Sequence, residues 1–246
     1  MSLPKVVSPS EWLSARKELL ADEKAMTRAR DALNTKRRLL PMTRIDEDYV
    51  FDGPGGRANL QDLFDGRHQL IVQHFMFDPA WDEGCPSCTA ACDEISAGLL
   101  RHLHSRDTTF VVASRAPLDK IERYKTMRGW TFPWYSSYGS AFNYDFHVTI
   151  DSSVAPVLFN YRTAEELDAV GLGWLNEGSS EQPGHSVFLR DGGEIFHTYS
   201  VFARGAEMLG GSYGFLDMTA LGRQEQWEEP KDRVVAGRPA VPDFAG

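Results

Sequence analysis

At 246 residues, 42% hydrophobic and 25% charged, the chain is long enough and apolar enough to bury a core without disulfides or a metal to staple it. A net charge of −9, with no long Lys/Arg block to offset it, excludes a phosphate backbone as an expected partner, so no nucleic acid is expected. No window approaches the roughly 20 apolar residues of a membrane span, and the start Met1-Ser2-Leu3-Pro4-Lys5 leads into charged sequence without the apolar core of a secretion signal.

Residues 8 to 40 read as one long helix. Ser8-Pro9-Ser10-Glu11 is a capping box with Pro9 at the first helical position, where a missing N–H costs little. Trp12, Leu19, Met26, Leu33 and Leu40 recur every seven residues, while Asp22 and Lys36 break the companion position. One narrow buried stripe is therefore expected, covering the main domain or pairing with a second subunit as a homodimer. Pro41 ends the helix. Tyr49-Val50-Phe51 and the turn Asp52-Gly53-Pro54-Gly55-Gly56 predict a hairpin, and Leu60 to Gly66 a short helical turn. Leu70 to Phe77 is a nearly continuous apolar run, as expected of a strand buried on both faces.

The loop Asp78 to Gly84 then leads to Cys85-Pro86-Ser87-Cys88, and a helix is expected from there to about His104, with Ala91, Ile95, Leu99 and Leu103 on one face. Thr108 to Ala113 reads as the next buried strand, Pro117 to Met127 as a helix stopped by Gly129, and Phe132 to Ser136 as a short strand. A hairpin is expected over 186–199 around the turn Asp191-Gly192-Gly193, followed by a helix over 203–209 and a charged, Pro-rich, loosely ordered tail. Strand, helix, strand, helix, hairpin, helix is the order of an α/β fold with a mixed sheet between helices.

All three cysteines lie within eight positions of one another, whereas a secreted disulfide scaffold spreads an even number along the chain. A cytoplasmic protein that keeps its cysteines for chemistry is expected. At a helix N-terminus the unpaired backbone N–H groups and the helix dipole favour the thiolate of Cys85, which is the nucleophile. Cys88 lies one turn on, in reach of a mixed disulfide. Lys and Arg are absent from residues 68 to 100, and the preceding Asp78, Asp82 and Glu83 are expected to raise the Cys85 pKa. A reducing or weakly oxidising pair follows.

Cys92 falls on the same helix face, where it is a small core residue or, with Cys85, Cys88 and a histidine such as His74, His147 or His185, a metal ligand. Zinc normally requires a second ligand pair at matching spacing, and none is present, so no metal or other cofactor is expected. The aromatic stretch from Trp130 to His147 is mostly core, with a pocket wall near the cysteines as the alternative. Trp81, Pro86, Trp134 and His185 are the candidate substrate-lining residues.

These residues resemble a family. His74-Phe75-Met76-Phe77 with Gly84-Cys85-Pro86-Ser87-Cys88, Ser114-Arg115-Ala116-Pro117, Gly129-Trp130-Thr131-Phe132-Pro133-Trp134, Phe142 to His147, Phe196 to Ser200 and Leu216-Asp217-Met218-Thr219 are similar to the bacterial thioredoxin-like family of predicted dithiol–disulfide oxidoreductases, long catalogued as a domain of unknown function. The resemblance implies a thioredoxin-like fold over residues 46–222, with residues 1–45 an N-terminal helical extension and 223–246 a tail. It further implies thiol–disulfide exchange on a protein or small-molecule disulfide through Cys85 and Cys88. Two departures bear on function. Pro183 lies slightly early for the cis-proline that thioredoxins set opposite their active site, which matches a position near His185. Asp82 stands where peroxiredoxins carry a threonine that orients the peroxide, so a peroxiredoxin-type thiol peroxidase is the second reading and a metal-binding or interaction protein the third.

Overall fold

The computed structural model describes residues 3–209, 211, 225–227, 231 and 237; the expected tail and the motif Leu216-Asp217-Met218-Thr219 lie largely or wholly outside them. The described residues fall into two compact units, one holding 3–41 with 225–227, 231 and 237, the other 42–209 and 211.

The first unit is built on helix α1, Pro9–Arg38. Its capping box forms as the sequence requires: the Ser8 backbone N–H donates to Glu11 Oε2 at 2.9 Å and the Glu11 N–H donates to Ser8 Oγ at 3.3 Å. No residue of α1 is buried, and of the heptad stripe Trp12 is 60% and Met26 62% exposed.

The second unit is an eight-stranded mixed sheet. Its strands are β1 (Thr43–Arg44), β2 (Val50–Gly53), β3 (Gly56–Asn59), β4 (Gln69–His74), β5 (Thr108–Ser114), β6 (Trp134–Ser136) and, after an insertion, the long hairpin of Gly184–Asp191 and Glu194–Phe202. The insertion holds β7 (Thr149–Asp151), β8 (Leu158–Phe159), β9 (Arg162–Thr163) and β10 (Ser179–Glu181), so the hairpin strands are β11 and β12. Sheet order is β1-β12-β11-β4-β5-β6-β2-β3. β4, β5 and β6 run parallel, and β11 is antiparallel to both β4 and β12. Three parallel strands joined through helices, with an antiparallel hairpin added beside β4, make a thioredoxin-like arrangement. The β5 strand is buried at every position, as expected of a central strand, with its polar ends Thr108, Thr109 and Ser114 buried along with its apolar middle.

Helices α2 (Pro86–Asp93), α3 (Ala97–His104) and α4 (Leu118–Arg128) connect or flank these strands, and two short helices, α5 (Phe142–Asp145) and α6 (Ala164–Ala169), lie between β6 and β10. The single helix expected from Cys88 to His104 is thus two. Ser96 interrupts it by capping α3, its Oγ accepting the Leu99 N–H at 3.1 Å, a local bond that competes with helix continuation. Gly129 ends α4 with φ +71, where a side chain would be strained.

Alternation along β4 divides the core. Leu70 and Val72 face a cluster with Phe51, Phe64, Phe142 and Phe188. Ile71 and Phe75, on the other side, pack with Phe77, Cys88, Cys92, Tyr124, Phe132 and Trp134. A third cluster of Val148, Ile150, Leu167, Leu175 and Phe202 holds the insertion together. The cysteines belong to the second cluster, at the carboxyl end of β4, where parallel sheets present their sites.

Candidate active site

Phe75 continues β4 past its last paired residue, its N–H donating to Ala113 O at 2.9 Å, and the chain then loops through Asp78 to Gly84. Gly84 passes flat against Phe75: a Cβ there would sit 2.4 Å from the ring. Cys85 closes the loop by donating its N–H to Met76 O at 3.0 Å, and it is the N-cap of α2 with extended backbone (φ −55, ψ 130). Pro86 takes the first helical position, where no helical bond is lost. Thr89 fastens the turn, its backbone N–H and Oγ1 both donating to Cys85 O at 2.9 Å, and its Oγ1 also pairs with the Tyr124 hydroxyl of α4 at 2.9 Å.

All three cysteines are free thiols. Cys85 is half-buried, and its side chain makes no capping hydrogen bond. Its anion has donors waiting. The Cys88 thiol and the backbone N–H groups of Cys88 and Ser87 together hold the Cys85 pKa down to about 6 against the opposing effect of burial. None of the carboxylates expected to raise it does so. Asp78 is turned away into an ion pair with Arg115 at 2.5 Å, and Asp82 and Glu83 are exposed.

Cys88 is 5% exposed, and its pKa is pushed well up, first because its proton serves the Cys85 anion and then by burial. Cys92 is wholly buried and raised by desolvation, with the Gln73 side-chain amide donating to its sulfur at 3.5 Å. The three thiols thus differ: the Cys85 pKa is lowered, and those of Cys88 and Cys92 are raised.

The other expected site residues separate. Trp81 (38% exposed) and Pro86 lie at the surface beside Cys85 in the chain. Trp134, expected as a pocket wall, has no exposed surface; its Nε1 donates to Ser114 Oγ at 3.0 Å, so it supports the site from within the core. His185 is paired in register with Gln73, on the cysteine face of the sheet, with its Nδ1 buried and unpartnered and its pKa lowered by burial to about 4. His74 points the other way: next to Gln73 on a strand, it faces Phe142 and Phe146 and pairs through Nε2 with Ser186 Oγ at 2.8 Å. It is not a ligand partner for the thiols. Among the described residues no group of three or more His, Cys, Asp or Glu side chains is placed to hold a metal ion.

Sequence reasoning missed the residues that hold the cysteine loop, Arg115, Lys120, Tyr124 and Glu181. Arg115 lies within Ser114-Arg115-Ala116-Pro117, a motif that carries a resemblance but no chemistry on sequence alone, and Glu181 sits in the insertion, where no sequence pattern marks it.

A family model described as "Bacterial protein of unknown function (DUF899)" matches residues 1–236. No curated protein matches the chain. Among solved structures, Peroxiredoxin Q of Xanthomonas campestris is similar at 12% identity and a TM-score of 0.43, covering 69% of this chain and 90% of that one. A candidate protein disulfide isomerase from Bacteroides thetaiotaomicron stands at 16% identity and 0.38, covering 69% and 86%. Peroxidoxin BcpB of Mycobacterium tuberculosis stands at 12% and 0.39, covering 69% and 91%.

Proposed function

We propose, for a chain that belongs to the DUF899 family of bacterial proteins of unknown function, that Cys85 and Cys88 are the working pair of a thiol–disulfide oxidoreductase. The observation that carries this reading is the Cys85 sulfur at the tip of α2, with a protonated Cys88 thiol and two backbone N–H groups disposed to stabilise its anion. The Cys85 thiolate attacks one sulfur of a substrate disulfide, forming a mixed disulfide and expelling the other sulfur as a thiolate. That thiolate takes up the Cys88 proton. Cys88 then attacks the Cys85 sulfur, which forms the Cys85–Cys88 disulfide and releases the second substrate thiolate to be protonated by solvent. The substrate gains two electrons, the pair loses two, and a dithiol reductant restores it.

The substrate class is a protein or small-molecule disulfide. The grouping of the cysteines, all free, favours a reducing compartment such as the cytoplasm. No described helix is long and apolar enough to cross a membrane.

The test is reduction of insulin and of hydroxyethyl disulfide in the presence of a dithiol reductant, comparing wild type with Cys85→Ser and Cys88→Ser. Loss of turnover in Cys85→Ser, with a trapped mixed disulfide in Cys88→Ser, is expected. Equal rates in all three proteins refute the assignment, and consumption of hydrogen peroxide faster than disulfide would move it to a peroxidase.

A further inference from the structure

The motif Ser114-Arg115-Ala116-Pro117 and the first turn of α4 contribute nothing to the chemistry above, yet they grip the approach to Cys85. Ser114 Oγ donates to Phe75 O at 2.7 Å. Arg115 Nη2 donates to Asp78 Oδ2 at 2.5 Å, and Asp78 in turn organises its own loop by accepting the Ala80 N–H at Oδ1 (2.7 Å) and the Trp81 N–H at its carbonyl (3.0 Å). Lys120 Nζ donates to the carbonyls of Pro79 at 2.7 Å and Trp81 at 2.8 Å. The loop is thus held from one side by a cationic fork and a cationic tip.

The anchor is itself fixed. Arg115 Nε donates to Glu181 Oε1 at 2.7 Å and its Nη1 to the Tyr144 hydroxyl at 3.0 Å. Glu181 is 3% exposed and held by Thr149 Oγ1 at 3.0 Å and Asn143 Nδ2 at 3.4 Å, so the guanidinium is pinned to the insertion and to α5 while it holds the loop. A buried ion pair of this kind contributes little net stability, because desolvation offsets most of the attraction; what it supplies is a unique geometry. Neither cation acts on the Cys85 sulfur, whose local donors are Cys88 and Ser87.

We infer that Arg115 and Lys120 are positioning residues for the Cys85 thiol: by fixing the loop from Asp78 to Gly84 they keep the sulfur against the first amides of α2. The inference rests on the proposed thiol–disulfide activity and adds the device that keeps Cys85 in its reactive position. Loosening the loop frees the Cys85 side chain to leave the helix tip, and its acidity then drifts toward that of an ordinary thiol. Acidity and reactivity change together, through geometry rather than through charge.

The experiment is the pH dependence of iodoacetamide alkylation at Cys85 in the full chain, located by peptide mass, together with exchange with hydroxyethyl disulfide at pH 7. Lys120→Met and Arg115→Lys are expected to raise the midpoint by about 1 pH unit and so to slow exchange about twofold, as the thiolate fraction at pH 7 falls from about nine-tenths to about one-half. Lys120→Arg, which keeps a donor, is expected to restore most of both. The shift is expected to persist in 1 M KCl, which shortens the reach of exposed charges to about 3 Å and so separates position from field. Should Arg115→Lys fail to fold, Asp78→Asn with Lys120→Met carries the same comparison. A depressed wild-type midpoint with unchanged variants, or a shift that disappears in salt, overturns the positioning role while leaving the function standing. A wild-type midpoint near that of a free thiol, without exchange, overturns both.

Discussion

Replacing Cys88 by alanine isolates the largest influence on the nucleophile. The Cys88 thiol is the first of the three donors that hold the Cys85 pKa down to about 6, ahead of the backbone N–H groups of Cys88 and Ser87. A hydrogen bond to a charged group contributes on the order of 1.5–3 kcal/mol, and one pKa unit corresponds to about 1.4 kcal/mol. Cys88→Ala removes the thiol but neither backbone donor, so the Cys85 midpoint is expected to rise by about 1–2 units. The thiolate fraction at pH 7 then falls from about nine-tenths to between about one-half and one-tenth. Cys88→Ser retains an O–H donor and is expected to keep the midpoint within about half a unit of wild type. The assay is thiolate absorbance near 240 nm against pH on fully reduced protein; Cys92, wholly buried with its pKa raised, stays silent over this range. If Cys88→Ala titrates with wild type, the backbone amides alone hold the anion and the division of labour between the two sulfurs is wrong.

Gly84→Ala places a methyl group 2.4 Å from the Phe75 ring and is expected to cost about 1–3 kcal/mol in urea unfolding and to slow Cys85 alkylation, because the displaced residue adjoins the nucleophile. Gly129→Ala, forced to φ +71 at the end of α4, is expected to cost about 1 kcal/mol with alkylation unchanged, which makes it the control for stability alone. The reduced protein is expected to gain stability as pH rises from about 6 to about 8.5. In that window the unfolded chain holds the Cys85 proton that the folded chain has lost; the gain disappears as pH falls through about 6, and Cys85→Ser flattens it. Below about pH 6.5 a second loss is expected. Burial holds the folded-state pKa values of His74 and His185 down to about 3 and 4, so the unfolded chain takes up protons that the folded one refuses, and His185→Asn should reduce the slope of unfolding free energy against pH by about one proton. Urea midpoints at pH 4, 5, 6, 7 and 8.5 separate the two windows, and a midpoint independent of pH refutes both.

Where a feature depends on short-range patterning, the sequence and the structure agree. The capping box at Ser8, the buried run that became β5, the Gly129 stop and the turn at Gly192-Gly193 are each set by a few neighbouring residues, and each lies where the sequence places it. The placement of Cys85 at a helix tip is of the same kind: a strand, a loop and a proline just inside the helix leave little freedom. Ser96 was legible in principle, since a serine three residues before Leu99 is a cap, but the four-residue spacing of Ala91, Ile95, Leu99 and Leu103 concealed it. The strands of the insertion, β7 to β10, are two or three residues long, too short for periodicity to reveal.

The misread carboxylates show where sequence distance stops being a guide to electrostatics. Asp78, seven residues before Cys85, counts as a nearby negative charge only while its orientation is unknown. In the folded chain it faces Arg115, thirty-seven positions later, and is compensated there. The same contact that keeps it from opposing the thiolate also anchors the loop that carries the thiol. Asp78→Asn therefore discriminates between the two accounts. If the carboxylate acts on Cys85 as a charge, its removal lowers the alkylation midpoint; if it acts as an anchor, its removal raises the midpoint and slows exchange. Only the second outcome is compatible with the contacts made by Arg115 and Lys120, and a fall in the midpoint would return the acidic lead-in to the role its sequence position suggests.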